Sequence, residues 1–448
     1  MGNKGFGFLF EMGCGKSLTA IATMGAAYQM GKVKRVLIVA PTSVCSVWPK
    51  ELEQYADFKY TTAMMLGEKS KRLAALKSLE VFPFEGLKIA VINYESTWRP
   101  GIKEMLLKFD ADLVIADESQ RIKDHQTAQA KAMHELGDKA RYKLILSGTP
   151  VQNNAIDLWS QYRFLDKTVF GGNFYSFRAR YAIMGGFDRR QIVGYRNLDE
   201  LIQKEHSIAY RVTKEEALDL PEQTFETRHI PLTGKAKDLY RKIKKDSFAE
   251  LEGGGMVTAP TVLTKLLRLQ QFTGGFIQPD ESARPQHVFS GKISALDDIL
   301  DDYVISAGKK LVIFCRFRPE IDLIEELLKK KKLQYACIYG DIKIEARGEI
   351  VKDFQENPKT MVFLAQIDTA GLGITLTAAD TCVYYSVNFN YAAYSQSLAR
   401  IHRIGQKNTC TYIHLVVEDS IDETVLKALA KKEDIAKTVV DDWRTYFE

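Results

Sequence analysis

Phosphate binding asks three things of a chain: backbone N–H groups converging at a helix N-terminus, a cation for the terminal phosphates, and a hydroxyl for magnesium. The stretch "FLFEMGCGKSLTAIA", residues 8 to 22, contains all three. Gly13 and Gly15 allow the backbone to wrap, Lys16 can reach the β and γ phosphates, and Ser17 can ligate Mg²⁺. A bare GKS is as compatible with a glycine turn that caps a helix. The run "GFGFLF" before it and the alanine-rich stretch after it supply the strand, loop and helix that the phosphate reading requires. Phe10 stands where the strict GxxxxGK[ST] (Walker A) pattern has its first glycine. That position shapes the entrance of the loop, while Gly13, Gly15 and Lys16 carry the phosphate geometry.

Two carboxylates, Asp117 and Glu118, emerge where the apolar run "LVIA" ends. A parallel strand delivers such side chains to the ligand crevice at its carboxyl end. Alone, "DE" after a strand is most often a helix cap or a solvated pair. Beside a phosphate loop it reads as the other half of an NTPase site. Asp117 suits a magnesium role, and Glu118 suits orienting and polarising the water that attacks the γ-phosphate.

Near the C-terminus, "YSQSLARIHRIGQ" spaces Gln396, Arg400 and Arg403 at i, i+4 and i+7, one face of a predicted helix. Two guanidiniums on one stripe are either a surface charge patch or arginine fingers, which stabilise charge on a transferring phosphoryl and are worth roughly 10³ to 10⁵ in rate. Fingers on one lobe and a phosphate loop on another would make hydrolysis depend on lobe closure, with ATP as the clamp.

The elements that must position these residues show two regimes of α/β alternation. Up to about residue 150, "GFGFLF", "RVLIVAP", "KIAVINY", "ADLVIADE" and "YKLILSGTP" read as buried strands with helical spans between them. This βαβ rhythm predicts a parallel sheet covered on both faces. From about 151 to 290 the rhythm breaks into aromatic and basic helical segments, such as "DLWSQYRFLD" and "FYSFRARYA". Alternation returns after about 291 with "KLVIFCRF", "YACIYGD", "TMVFLAQ", "TCVYYSV" and "CTYIHLVV". The lysine run 329–332 reads as a solvated helix C-terminus favoured by the helix dipole.

With 448 residues the chain is long enough for two or three structural units. Its 46% hydrophobic and 27% charged residues have the balance of a globular protein rather than a disordered one. The 62 basic and 57 acidic side chains leave a formal +5, compatible with a nucleic-acid partner only if the charge clusters. Six scattered cysteines without a CxxC pair argue against a zinc site or a disulfide framework and for a reducing, intracellular compartment. No apolar run reaches the ~18 residues of a membrane span, and Phe6 occupies the place where a myristoylation signal needs Ser or Thr. A soluble protein is expected, with no membrane contact.

In this order, "EMGCGKSLTAIA", "PTSVCSVWPKEL", "IADESQRIKD", "LSGTPVQNN", "DTAGLGITLTAADTCVYY" and "QSLARIHRIGQKNTCTYIHLV" resemble the motifs of the Swi/Snf-type ATPases of helicase superfamily two, which are double-stranded-DNA translocases. The resemblance implies an α/β fold of two RecA-like parallel-sheet lobes with helical insertions between them. It places an ATP-binding lobe at 1–225 with a helical protrusion at about 155–210, an insertion and linker at 226–290, and a helicase lobe at 291–448. The resemblance implies ATP contacts by Met12, Gly13, Cys14, Gly15, Lys16, Ser17, Leu18, Gln396 and Gly373, and Mg²⁺ at Ser17 and Asp117. The catalytic residues it implies are Lys16, Glu118, Arg400 and Arg403. DNA contact or coupling falls to Ser43, Trp48, Asn93, Tyr94, Ser147, Gly148, Thr149 and Thr369. Lys214 and Pro221 stand in the familiar connector after the first protrusion.

Two positions depart from the family pattern. Phe10 replaces a small residue, and "DESQ" replaces "DEAH" or "DEGH", so Gln120 stands where a histidine would link the ATP site to the coupling motif. The family's adenine-reading glutamine motif is expected upstream of the loop, where this sequence is too short to contain it, so that either the chain begins late or base recognition is relaxed. His402 is expected to pack or hydrogen-bond rather than ligate a metal.

The leading expectation is an ATP-driven translocase on duplex DNA, without sequence specificity, acting as a monomer with a recruiting partner still to be identified. The alternatives are a strand-separating DNA or RNA helicase, and a DNA-binding scaffold with weak ATPase. With no targeting module visible, a bacterial or viral source or an excised core is expected over a large eukaryotic remodeller, and a cytoplasmic setting over a nuclear one.

Overall fold

The computed structural model describes residues 4–81, 83–186, 191–252, 259–278, 284–372 and 374–436. The chain divides into two compact units, one running to Asp219 and taken up again from Lys432, the other Leu220–Lys431.

The first unit contains β1 (Gly5–Phe10), β2 (Arg35–Ala40), β3 (Tyr60–Met65), β4 (Leu87–Asn93), β5 (Leu113–Asp117), β6 (Tyr142–Leu146), β7 (Ala182–Gly185), β8 (Gln191–Tyr195) and β9 (Ala209–Val212). Seven of these form one sheet in the order β3-β4-β2-β5-β6-β1-β9, with every neighbouring pair parallel. Helices on both faces bury the central strands, which is why β2 and β5 are near-continuous apolar runs. Their side chains divide between two apolar clusters, one for each face. After β1 the chain passes β6 and β5 before rejoining the sheet as β2, with the helix Lys16–Gln29 in the crossing. The carboxyl ends of β1, β5 and β6 therefore converge on one edge, where ligands of such sheets bind.

The protrusion leaves β6 as the helices Leu158–Leu165, Lys167–Phe170 and Phe174–Tyr181, continues as the antiparallel hairpin β7–β8 and the helix Leu198–His206, and returns as β9. Four of its aromatic residues form a buried cluster. Tyr162, Phe170, Phe177 and Tyr181 are buried ring against ring, with centroids 4.9–5.0 Å apart for the successive pairs. Each ring contributes about 1.5–3 kcal/mol by leaving water.

The second unit contains β10 (Gln223–Ile230), β11 (Phe276–Ile277), β12 (Gln286–His287), β13 (Leu311–Cys315), β14 (Gln334–Ile338), β15 (Thr360–Gln366), β16 (Thr381–Tyr384) and β17 (Cys410–Val417). Six form a second parallel sheet, β10-β17-β16-β13-β15-β14, over its own core. The fold is thus α/β, two RecA-like parallel-sheet lobes with interspersed helices. β10 lies just after the division between the units and pairs with β17 along its whole length.

The lysine run sits at the end of the helix Arg318–Lys330, where Lys331 pairs with Asp297 at 2.6 Å and Asp301 at 2.5 Å. No helix among the described residues is long and apolar enough to cross a membrane. All six cysteines are free thiols.

Candidate functional site

β1 delivers the loop 11–15 to the sheet edge. Gly13 (φ 91°) and Gly15 (φ 81°) take left-handed conformations that side chains disfavour, and a Cβ at either would meet nothing within 4 Å. The glycines are there for backbone shape, and the space above the loop is open. Gly15 is the N-cap of the 14-residue helix that starts at Lys16, and its first turn holds no acidic residue, so no carboxylate competes for an anion there. Met12, Cys14 and Ser17 are half-buried along the loop, and Leu18 is exposed. The Lys16 ammonium donates to the carbonyls of Phe10 (2.9 Å) and Glu11 (3.2 Å). Burial lowers its pKa, and the nearby carboxylates of Glu118 and Asp117 oppose that shift.

Asp117 is held by residues expected on a DNA path. The buried Trp48 indole donates to Asp117 Oδ2 at 3.0 Å, and the buried Tyr94 hydroxyl donates to the Asp117 carbonyl at 2.9 Å. Burial, with Glu118 beside it, pushes the Asp117 carboxyl up from the ordinary aspartate range. Glu118 turns out of β5 at φ 52°, ψ 55°, a left-handed conformation that costs a non-glycine residue about 1–3 kcal/mol. That turn takes the Glu118 side chain out of the alternation of the strand.

Gln120 makes the link that its position in the sequence put in question. Its Nε2 donates to Glu118 Oε2 at 2.6 Å, and its Oε1 accepts from the Ser147 hydroxyl at 2.7 Å. Ser147 Oγ in turn accepts from the Thr149 N–H at 3.1 Å. A continuous hydrogen-bonded path thus joins the carboxylate after β5 to the SGTP loop after β6. Gly148 in that loop lies against the phosphate loop: a Cβ there would be 3.3 Å from the Phe10 carbonyl and 3.4 Å from Lys16 Nζ and Met12 N.

The other expected residues are dispersed. Asn93 is buried, donating to Thr42 Oγ1 and Glu95 and accepting from Arg72 at 2.7 Å. Ser43 is half-buried on the short helix Thr42–Cys45 beside it. In the second unit the helix carrying Gln396 ends at Leu398, so Arg400 and Arg403 do not continue its face. The expected single stripe is corrected by tertiary hydrogen bonds. The Arg400 carbonyl accepts from Leu376 N at 2.9 Å, and the Gln406 side chain takes the Ile401 carbonyl at 3.2 Å. These bonds take carbonyls that a continuing helix would need. Arg400 is buried with Nη1 toward the Ile374 carbonyl at 3.4 Å, whereas Gln396 and Arg403 are half-buried. Thr369 is buried and bonds the Gln366 carbonyl. Gly373 lies outside the described residues. His402 is buried with Nε2 at 2.8 Å from the Pro221 carbonyl, a hydrogen-bonding residue as expected.

Two side chains at this edge escaped the sequence reading. Gln161, fully buried on the helix Leu158–Leu165, accepts from the Ser119 hydroxyl at 2.6 Å and donates to the Pro150 carbonyl at 2.8 Å. Arg211, on β9, donates to the carbonyls of Leu9 (2.8 Å) and Gly148 (3.1 Å) and pairs with Glu11 at 3.3 Å. Gln161 stands in no local motif, and Arg211 opens the connector that holds Lys214 and Pro221, but the partners of both appear only when separate segments meet.

The oxygen donors fit the magnesium that the motif implies. Ser17 offers a hydroxyl and Asp117 a carboxylate, hard ligands of the kind Mg²⁺ takes alongside substrate phosphates. Among the described residues no cluster of three His, Cys, Asp or Glu offers a competing metal site.

The SNF2-related domain family matches residues 4–274 of this chain, and the helicase conserved C-terminal domain family matches residues 291–405. The uncharacterized ATP-dependent helicase MG018 of Mycoplasma genitalium is 27% identical over 96% of this chain and 40% of its own length. The nuclear protein STH1/NPS1 of Saccharomyces cerevisiae is 27% identical over 96% of this chain and 33% of its own length. The chain thus spans less than half of either relative. A solved structure, the Sulfolobus solfataricus SWI2/SNF2 ATPase core in complex with dsDNA, aligns with 100% of this chain and 91% of its own at 24% identity and a TM-score of 0.43.

These relatives overturn the expectation of a cytoplasmic protein from a bacterium or virus. The yeast nuclear protein matches at the same identity as the mycoplasma one, and further eukaryotic chromatin-remodelling proteins match over comparable lengths.

Proposed function

The chain belongs to the SNF2-related family, and from that premise we propose that it is an ATP-driven motor that tracks along duplex DNA through phosphate contacts, without reading sequence. The SNF2-type ATPase architecture is that of an ATP-hydrolysing, DNA-stimulated enzyme. The finer reading concerns how this chain's residues carry out hydrolysis and how DNA reaches them.

In this reading the N–H groups of loop 13–17 and the Lys16 ammonium hold the β and γ phosphates, which exchange with the Phe10 and Glu11 carbonyls as partners of that ammonium. Ser17 and Asp117 would hold Mg²⁺, which when bound draws charge from the phosphate oxygens. Trp48 and Tyr94 fix Asp117 for that role. Glu118 orients the attacking water and takes up its proton. Gln396, Arg400 and Arg403 are proposed to act on the same nucleotide, and Arg403→Ala is then expected to keep ATP binding while losing most turnover.

The observation that carries the proposal is the path Glu118–Gln120–Ser147–Thr149. It gives the SGTP loop a direct hold on the carboxylate that hydrolysis needs, so a DNA-driven shift of that loop would reset Glu118. The test is steady-state ATP turnover with no nucleic acid, duplex DNA, single-stranded DNA and RNA, beside Lys16→Ala and Glu118→Gln. Duplex DNA is expected to stimulate most, with both variants losing at least about 100-fold in turnover. Equal rates with and without duplex DNA would end the motor reading even if ATP is hydrolysed.

A further inference from the structure

The SGTP loop is held at two positions, Gly148 and Pro150, by the two ends of the helical protrusion. On the outgoing side, Gln161 donates to the Pro150 carbonyl and accepts from Ser119, the residue after Glu118. On the returning side, Arg211 donates through Nη1 to the Gly148 carbonyl and to the Leu9 carbonyl of β1. Both side chains are buried, Gln161 at 0% and Arg211 at 4% exposure. Glu11 completes the second attachment: it pairs with Arg211 and also accepts from the Lys214 N–H at 2.7 Å, so the mouth of the phosphate loop is tied to the chain just past β9.

This arrangement constrains one distance. Gly148 and the phosphate loop approach so closely that even a Cβ would sit 3.3 Å from the Phe10 carbonyl. Arg211 grips both sides of that approach with a planar fork whose donors point in fixed directions, a geometry that a lysine ammonium on a flexible stem does not reproduce. Gln161 fixes the far end of the same loop and steadies the turn that carries Glu118. The segment between these two residues is the whole protrusion, three helices, a hairpin and a fourth helix.

We propose that the protrusion is an input to the ATP site, with Gln161 and Arg211 as the positioning residues through which it sets the spacing between the SGTP loop and the phosphate loop. Force or binding on the protrusion is passed to β9 and to the helix Leu158–Leu165, and from them to Gly148 and Pro150. Neither side chain touches the reacting atoms. The inference rests on the proposed ATPase site and adds a route by which a partner on the protrusion would tune it.

The test uses the full chain with Arg211→Lys, which keeps the charge and removes the fork, and Gln161→Met, which keeps the volume and removes the side-chain hydrogen bonds to Ser119, Pro150 and, within its own helix turn, Asp157. Glu11→Gln serves as a milder third variant if either of these fails to fold. Affinity for a fluorescent ATP analogue, kcat, KM for ATP and the ratio of duplex-stimulated to basal turnover are measured, with duplex binding followed by anisotropy. Displacing these loops is expected to raise KM for ATP and lower the stimulation ratio by roughly 10- to 100-fold combined, while duplex affinity holds. Wild-type KM and stimulation ratio in variants whose Tm has dropped would show ordinary packing residues and overturn the proposal. If duplex DNA fails to stimulate the wild type, it is the motor reading that fails. Nucleotide affinity and KM then decide the role of Gln161 and Arg211 by themselves.

Discussion

Asp117 receives a hydrogen bond on its carboxylate from a tryptophan and another on its carbonyl from a tyrosine, both buried. Residues expected on a DNA path here hold in place the carboxylate proposed to bind Mg²⁺. Trp48→Phe keeps an aromatic ring, smaller than the indole, and deletes the N–H that bonds Asp117. The Mg²⁺ concentration for half-maximal turnover is expected to rise about 10-fold or more, the usual scale for losing a residue that supports a metal ligand. An unchanged Mg²⁺ dependence would remove Trp48 from the site. Gln120 and Ser147 allow a stricter test, because they act in series. In a double-mutant cycle of Gln120→Ala and Ser147→Ala on duplex-stimulated turnover, the second substitution should add little to the first, a coupling of about 0.5–3 kcal/mol. Full additivity would mean that the path carries nothing. The sequence made Gly13, Gly15, Lys16, Asp117 and Glu118 legible because their chemistry is local: a turn, a helix start, a strand end. Gln161 and Arg211 acquire partners only when segments far apart in sequence meet, and no spacing rule marks them.

At the scale of elements, buried parallel strands announced themselves as apolar runs. β3 and β9 did not: "YTTAMM" mixes polar with apolar residues, and β9 is a four-residue edge strand. The helix expected through Arg403 had the right period but stops at Leu398, since period alone does not say which carbonyls the rest of the fold will claim. β17 carries a testable consequence of burial. His414 on this strand is buried with Nε2 3.0 Å from the Tyr394 hydroxyl, and burial lowers its pKa from 6.5 to about 4. The unfolded chain binds a proton there at a higher pH than the native one. The stability gained by keeping the ring neutral is therefore complete above about pH 6.5. It is lost as pH falls toward 4, by about 3 kcal/mol at most. Against a His414→Gln variant, the urea midpoint of the wild type should fall further between pH 7 and pH 4. Parallel curves would show that the histidine charges freely in the native state.

For the whole molecule, the alternation of strands and helices was enough to foresee two parallel-sheet lobes, because each lobe repeats the same demand for apolar strands under amphipathic cover. The cellular setting was not legible, since this chain matches the mycoplasma and yeast nuclear relatives at equal identity. Hydrolysis alone does not distinguish a tracker from a strand separator. The most direct measurement is displacement of a third strand from a DNA triplex by the full chain with ATP, beside a forked duplex and the Lys16→Ala variant. The account predicts ATP-dependent release of the third strand, no separation of the fork, and neither activity in Lys16→Ala. Separation of the forked strands, or turnover of ATP on the triplex with the third strand left in place, would contradict it.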